Sequence, residues 1–143
     1  QRSHSVKRLV LTLAAALAAA TPALAHDDAT LDAMQAPHGG QLRMAGAYHI
    51  ELVLARDARG GKPAPVKVYL SDHGGVKIAP AGASGSVVLL APAGKVTVPL
   101  TAAGDRLEGA AAYTADPATK ALVSLRFADG KTETARFEPF KPR

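Results

Sequence analysis

The strongest constraint on this chain is an alternation of apolar and polar residues in short runs, each closed by glycine, proline or aspartate. Tyr48, Ile50, Leu52 and Leu54 alternate with His49, Glu51, Val53 and Ala55. Val66, Val68 and Leu70 repeat the pattern, as do Val96, Val98 and Leu100, then Val123, Leu125 and Phe127. A period of two puts one set of side chains on a core and the other outward, which is the signature of half-buried strands. Turn signals recur at the roughly 8–12-residue spacing of an all-β sandwich or barrel. Asp72-His73-Gly74-Gly75 closes one turn, Pro92-Ala93-Gly94 another, and Ala128-Asp129-Gly130-Lys131 reads as a hairpin. The expectation is a single antiparallel β-sandwich, Ig-like, of seven or eight short strands over residues 36–140.

Two proline-bearing stretches modify this reading. Residues 56–65, RDARGGKPAP, read as a loop from their glycine and proline content. Pro99 interrupts an otherwise regular strand, which implies an edge position or a bulge, because proline cannot donate to a ladder. Residues 26–35, HDDATLDAMQ, show no clear period and read as a flexible leader. Nothing beyond residue 25 has helical periodicity over the length a helix needs.

The first 25 residues have a different character. Lys7 and Arg8 precede the uncharged run Leu9 to Ala20, Thr21-Pro22 breaks it, and Ala23-Leu24-Ala25 places small residues where a signal peptidase reads. This order predicts a cleavable secretory signal helix over residues 1–25 and export to the periplasm. The run is shorter than the roughly 20 apolar residues that span a bilayer, so the mature chain is not expected to insert stably in the membrane. Removing 25 of 143 residues leaves 118, enough for one compact domain. The 17 Lys and Arg against 12 Asp and Glu give +5, but Arg2, Lys7 and Arg8 fall in the signal segment, leaving 14 against 12. With no basic stripe and few aromatic residues, nucleic acid is not an expected partner.

There is no cysteine, so any soft metal ligand must be an imidazole or a thioether. Cleavage after Ala25 would expose His26 as the amino terminus, where an α-amine and a ring nitrogen can chelate one ion beside Asp27 and Asp28. His38 lies in the Pro37–Gly40 turn, where glycines permit a tight reversal and should hold the imidazole at the end of the sheet. His49 and Glu51 share a strand face, about 6.5–7 Å apart along the strand, so one ion could join them only with help from a neighbouring strand. Met34 and Met44, the only methionines, fall within this same stretch of the chain. The candidate metal ligands are therefore His26, His38, His49 and Glu51. Copper is the expected ion, since His/Met sets suit copper(I) and His/carboxylate sets suit copper(II), zinc or another divalent metal. The alternative is that His38 is a turn residue, His49 an exposed strand residue and the methionines gap fillers. His73 reads as a turn residue and an ancillary ligand at best.

Catalysis is not expected. There is no Gly-x-Ser-x-Gly elbow, no phosphate loop and no His-Glu-x-x-His, and Glu133 and Glu138 read as a solvated face. A copper oxidative enzyme built on an amino-terminal His26 would find few aromatic residues to stack a polysaccharide.

The runs PHGGQL (37–42), YHIELV (48–53) and VKVYLSDHGG (66–75), with GDRLEGA (104–110) and TARFEP (134–139), resemble a group of small exported proteins associated with heavy-metal resistance. They are also similar to the amino-terminal periplasmic β-domain of metal-efflux adaptor (membrane-fusion) subunits. The resemblance implies a periplasmic β-sandwich that handles transition metals, with Pro37, His38, Gly39 and Gly40 as the turn leading into the domain. It implies a metal ion as the first partner and an efflux adaptor or other periplasmic protein as the second. The adaptors' coiled-coil hairpin and lipoyl-like segment have no counterpart in these residues, so the expected role is metal binding or buffering and not bridging a pump. A non-catalytic interaction module that docks on an efflux or assembly partner, its histidines incidental, is the competing expectation.

Overall fold

A computed structural model describes residues 27–142. The predicted signal segment, its cleavage site and His26 lie outside the described residues. Nine strands follow one short helix: α1 (Asp28–Ala33), β1 (Gln41–Ala45), β2 (Tyr48–Leu54), β3 (Arg59–Asp72), β4 (Lys77–Ile78), β5 (Ser84–Ala91), β6 (Gly94–Ala103), β7 (Arg106–Thr114), β8 (Lys120–Arg126) and β9 (Thr132–Phe137). The all-β antiparallel class is as expected. The strands form one continuous sheet in the order β1-β2-β3-β7-β6-β5-β8-β9, with β4 paired to β3, and this sheet curls into a near-barrel. Among the described residues no helix is long and apolar enough to cross a membrane.

The alternation seen in the sequence builds the interior directly. Leu52 pairs with Val68, which pairs with Leu107; Val98 pairs with Val87, Val87 with Val123, and Val123 with Ala135. All of these are buried in one cluster, closed off by Leu89, Leu125, Phe137 and Phe140. Tyr113 belongs to it too, and its hydroxyl accepts from Ala55 N at 2.8 Å while donating to Pro65 O.

Residues 59–65, expected as loop, are the first half of the 14-residue β3. The ladder with β2 stops at Leu54–Val66, so Pro63 and Pro65 pair only with β7, opposite Ala112 and Ala110. Prolines are tolerated there because one edge of the strand carries no ladder. Pro99 follows the same logic: it pairs with Ser86 of β5, while the β6–β7 ladder covers only Thr101 to Ala103. The backbone of β7 crosses so close at this point that a Cβ on Gly109 would lie 2.3 Å from Pro99 O.

The expected leader carries α1. Asp27 caps it by accepting from Thr30 N at 2.8 Å, and Leu31 is 1% exposed. Six residues cannot hold a helix alone; burial of Leu31 and Ala36 against Leu42 and Met44 holds this one. The helix also guards the seam where β1 and β9 meet. There Arg43 donates to Asp32 Oδ1 at 2.8 Å, and Glu138 N donates to Gln41 Oε1 at 2.8 Å. The Arg43 guanidinium holds the Asp32 carboxyl below the ordinary carboxylate range.

Candidate functional site

The strand β2 is buried on both faces. Ile50 and Leu52 point into the barrel core. His49 and Glu51, which an isolated strand would leave in solvent, are each 3% exposed. Their cover is the segment from Met34 to Gly40, folded across the outside of β1, β2 and β3. Cross-strand register arranges this outer face in two rows: Leu42, Glu51 and Tyr69 in one, Met44, His49 and Ser71 in the next.

Glu51 organises the first row. Its Oε2 accepts from His38 N and Gly40 N, both at 2.9 Å, and its Oε1 lies 2.8 Å from His38 Nδ1. A buried carboxylate facing three N–H groups gains charge-assisted bonds that repay its desolvation. The loop can lie this close because Gly40 has no side chain: a Cβ there would sit 2.3 Å from Leu52 O. The preceding turn closes with Gly39 N donating to Ala36 O at 3.1 Å, Gly39 taking φ 73°. His38 is thereby folded back over the sheet, its ring stacked on Tyr69 with centroids 3.6 Å apart and 7° between planes. This corrects the expectation that the glycine turn would hold the imidazole out at the sheet's end. Two backbone bonds to Glu51 draw it inward.

A carboxylate oxygen only accepts, so His38 Nδ1 must carry a proton. In the neutral ring the lone pair is then on Nε2. Glu51 thus orients an imidazole, and both of its oxygens are engaged in doing so. The oxygens that the sequence reading offers to an ion are both hydrogen-bonded to the His38–Gly40 segment.

The second row brings in His73, which the sequence offers only as a turn residue and an ancillary ligand at best. His73 stacks on His49, with centroids 5.1 Å apart and planes inclined by 30°. Its position follows from register. Ser71 pairs with His49, and His73 follows in the turn just past the end of β3 at Asp72. The signal was present, since alternation along VYLSDH puts Tyr69, Ser71 and His73 in one row, but it needed the knowledge that β3 pairs with β2.

A cavity of about 140 Å³ lies between the covering segment and the sheet. Met34, His38, His49, Glu51, Tyr69 and Ser71 line it, with Gly75 and Lys77 at the β3–β4 turn. Two predicted histidines therefore share one cavity. Among the described residues, no three His, Asp or Glu side chains are gathered closely enough to hold an ion by themselves. The side chains on the cavity wall that carry imidazole, thioether or carboxylate donors are His38, His49, Met34, Glu51 and Asp105.

No family model matches the chain, and no curated protein matches it. A functional reading has to come from the residues themselves.

Proposed function

We propose that this protein is an exported, periplasmic transition-metal-binding protein that buffers copper, and that the cavity walled by His38 and His49 is where the ion binds. The observation that carries the reading is the Glu51–His38 pair. Metal-ligating histidines characteristically donate their second ring N–H to a carboxylate, which fixes the tautomer and makes the other nitrogen a better donor. Here a buried carboxylate holds Nδ1 at 2.8 Å, and Tyr69 clamps the ring. A histidine that only capped a turn would need neither. Bound copper would take imidazole nitrogen from His38 and His49, with Glu51 behind His38 and the thioether of Met34 within the same cavity. The short runs that resemble heavy-metal-resistance proteins and the signal-like residues 1–25 are the sequence features that support this role and this compartment.

The test is a copper titration of the exported protein, followed by the His38→Ala/His49→Ala double variant. Stoichiometric binding that disappears in the double variant is the expected result. Wild-type protein that takes up no copper or zinc, or a double variant that binds unchanged, overturns the proposal.

A further inference from the structure

We infer that His73 is a metal ligand and that His49, His73 and the Met34 thioether form a site for the cuprous ion. This rests on the metal-binding reading above: His49 and Met34 line the same cavity, and His73 joins them from beside it through its contact with His49.

The ring geometry is the first argument. An ion about 2.0–2.1 Å from an imidazole nitrogen lies about 3.2 Å from that ring's centre. Two such rings at a trigonal or tetrahedral angle have their centres about 5–5.5 Å apart. The His49 and His73 centroids are 5.1 Å apart. Their planes are inclined by 30°.

The backbone is the second argument, because His73 sits in a rigid turn. Asp72 Oδ1 accepts from Gly74 N and Val76 N, each at 2.9 Å, and Asp72 N donates to Val76 O at 2.9 Å. The main chain on both sides of His73 is therefore fixed before any ion arrives. His49 is equally fixed, held between β1 and β3 in the middle of a strand. A preorganised pair spends little binding energy on ordering its ligands.

The third argument concerns softness. Both methionines of the chain flank His49: Met44 directly opposite it on β1, and Met34 on the cavity wall. Met44 is packed into the small cluster under α1. Met34 lines the cavity together with His49 and is 41% exposed. Thioether sulfur selects copper(I) over zinc and copper(II). His73 is exposed and Met34 half-exposed, so two of the three donors also face an ion arriving from solvent.

Anaerobic titration of the purified chain with copper(I), in competition with a chromophoric cuprous chelator, tests this, with zinc(II) titrated in parallel. His73→Ala should lower cuprous affinity about 100-fold or more, while its circular dichroism stays that of the wild type, since the ring is exposed and the turn is made by Asp72. Met34→Leu should weaken copper(I) and leave zinc(II) unchanged. X-ray absorption of the copper(I) form should show a sulfur scatterer that Met34→Leu removes. Wild-type cuprous affinity in His73→Ala, or a copper spectrum without sulfur, overturns this assignment while leaving the function above standing. A wild-type chain that binds no metal overturns the function itself.

Discussion

Replacing Glu51 by glutamine changes one oxygen into an NH₂ group at nearly constant shape, and its effect can be worked through atom by atom. The amide oxygen will face the two backbone donors, His38 N and Gly40 N, each now 2.9 Å from Oε2. The new NH₂ then points at His38 Nδ1, 2.8 Å from the present Oε1. Two donors cannot share that contact, so His38 must move its proton to Nε2 and accept through Nδ1. The nitrogen that faced the cavity as a lone pair becomes a donor, and the ring can no longer ligate there. Loss of charge assistance should cost about 1–3 kcal/mol of stability, read from the midpoint of urea denaturation. Loss of the orienting carboxylate should weaken copper binding about 10–100-fold. Nitrogen-15 NMR of the His38 ring should report an Nδ1–H tautomer in the wild type and Nε2–H in Glu51→Gln. A variant with wild-type copper affinity, an unchanged midpoint and an unchanged tautomer would refute the reasoning from Glu51 to His38.

Three further outcomes follow from the same contacts. Gly40→Ala must push a methyl against Leu52 O and Val53, so it should cost about 1–3 kcal/mol and lower copper affinity, both measurable in one denaturation and titration series. Leu31→Ala empties the small cluster under α1 and should destabilise its docking by about 2–4 kcal/mol; limited proteolysis should then cut residues 27–36 faster, with the barrel's melting unchanged. Arg43 lowers the folded pKa of Asp32, so this pair's contribution is complete above the ordinary carboxylate range and fades as pH falls through the lowered value. Because Asp32 is 43% exposed, it amounts to about 1 kcal/mol at most. Hydrogen exchange in α1 should accelerate at strongly acidic pH in the wild type, and an Asp32→Asn variant should show no such acceleration.

Much of the fold could be read along the chain because burial in a sheet is written residue by residue. Ile50, Leu52, Val66, Val68, Val98 and Val123 are identifiable as core by alternation alone, and Gly130 and its neighbours as a hairpin. The misreadings share one cause. Residues 59–65 read as loop because glycine and proline disfavour a strand with partners on both edges, and only the arrangement leaves β3 there with a single partner. The segment 28–33 has too little periodicity to predict a helix, since one leucine and one cap suffice once Leu42 and Met44 are present to receive it.

The local sequence by itself determined the all-β class, the strand faces and the chemistry on offer: imidazole and thioether donors, with no thiol among them. Proximity between residues 13 or more apart was beyond it. That Glu51 turns back to seize His38, that Tyr69 clamps the ring, and that His73 lies over His49 all depend on β1, β2 and β3 lying side by side beneath a folded-over segment. Alternation tells which side of a strand a residue faces. Only register tells which residues face it from the neighbouring strand, and a site is made of such neighbours.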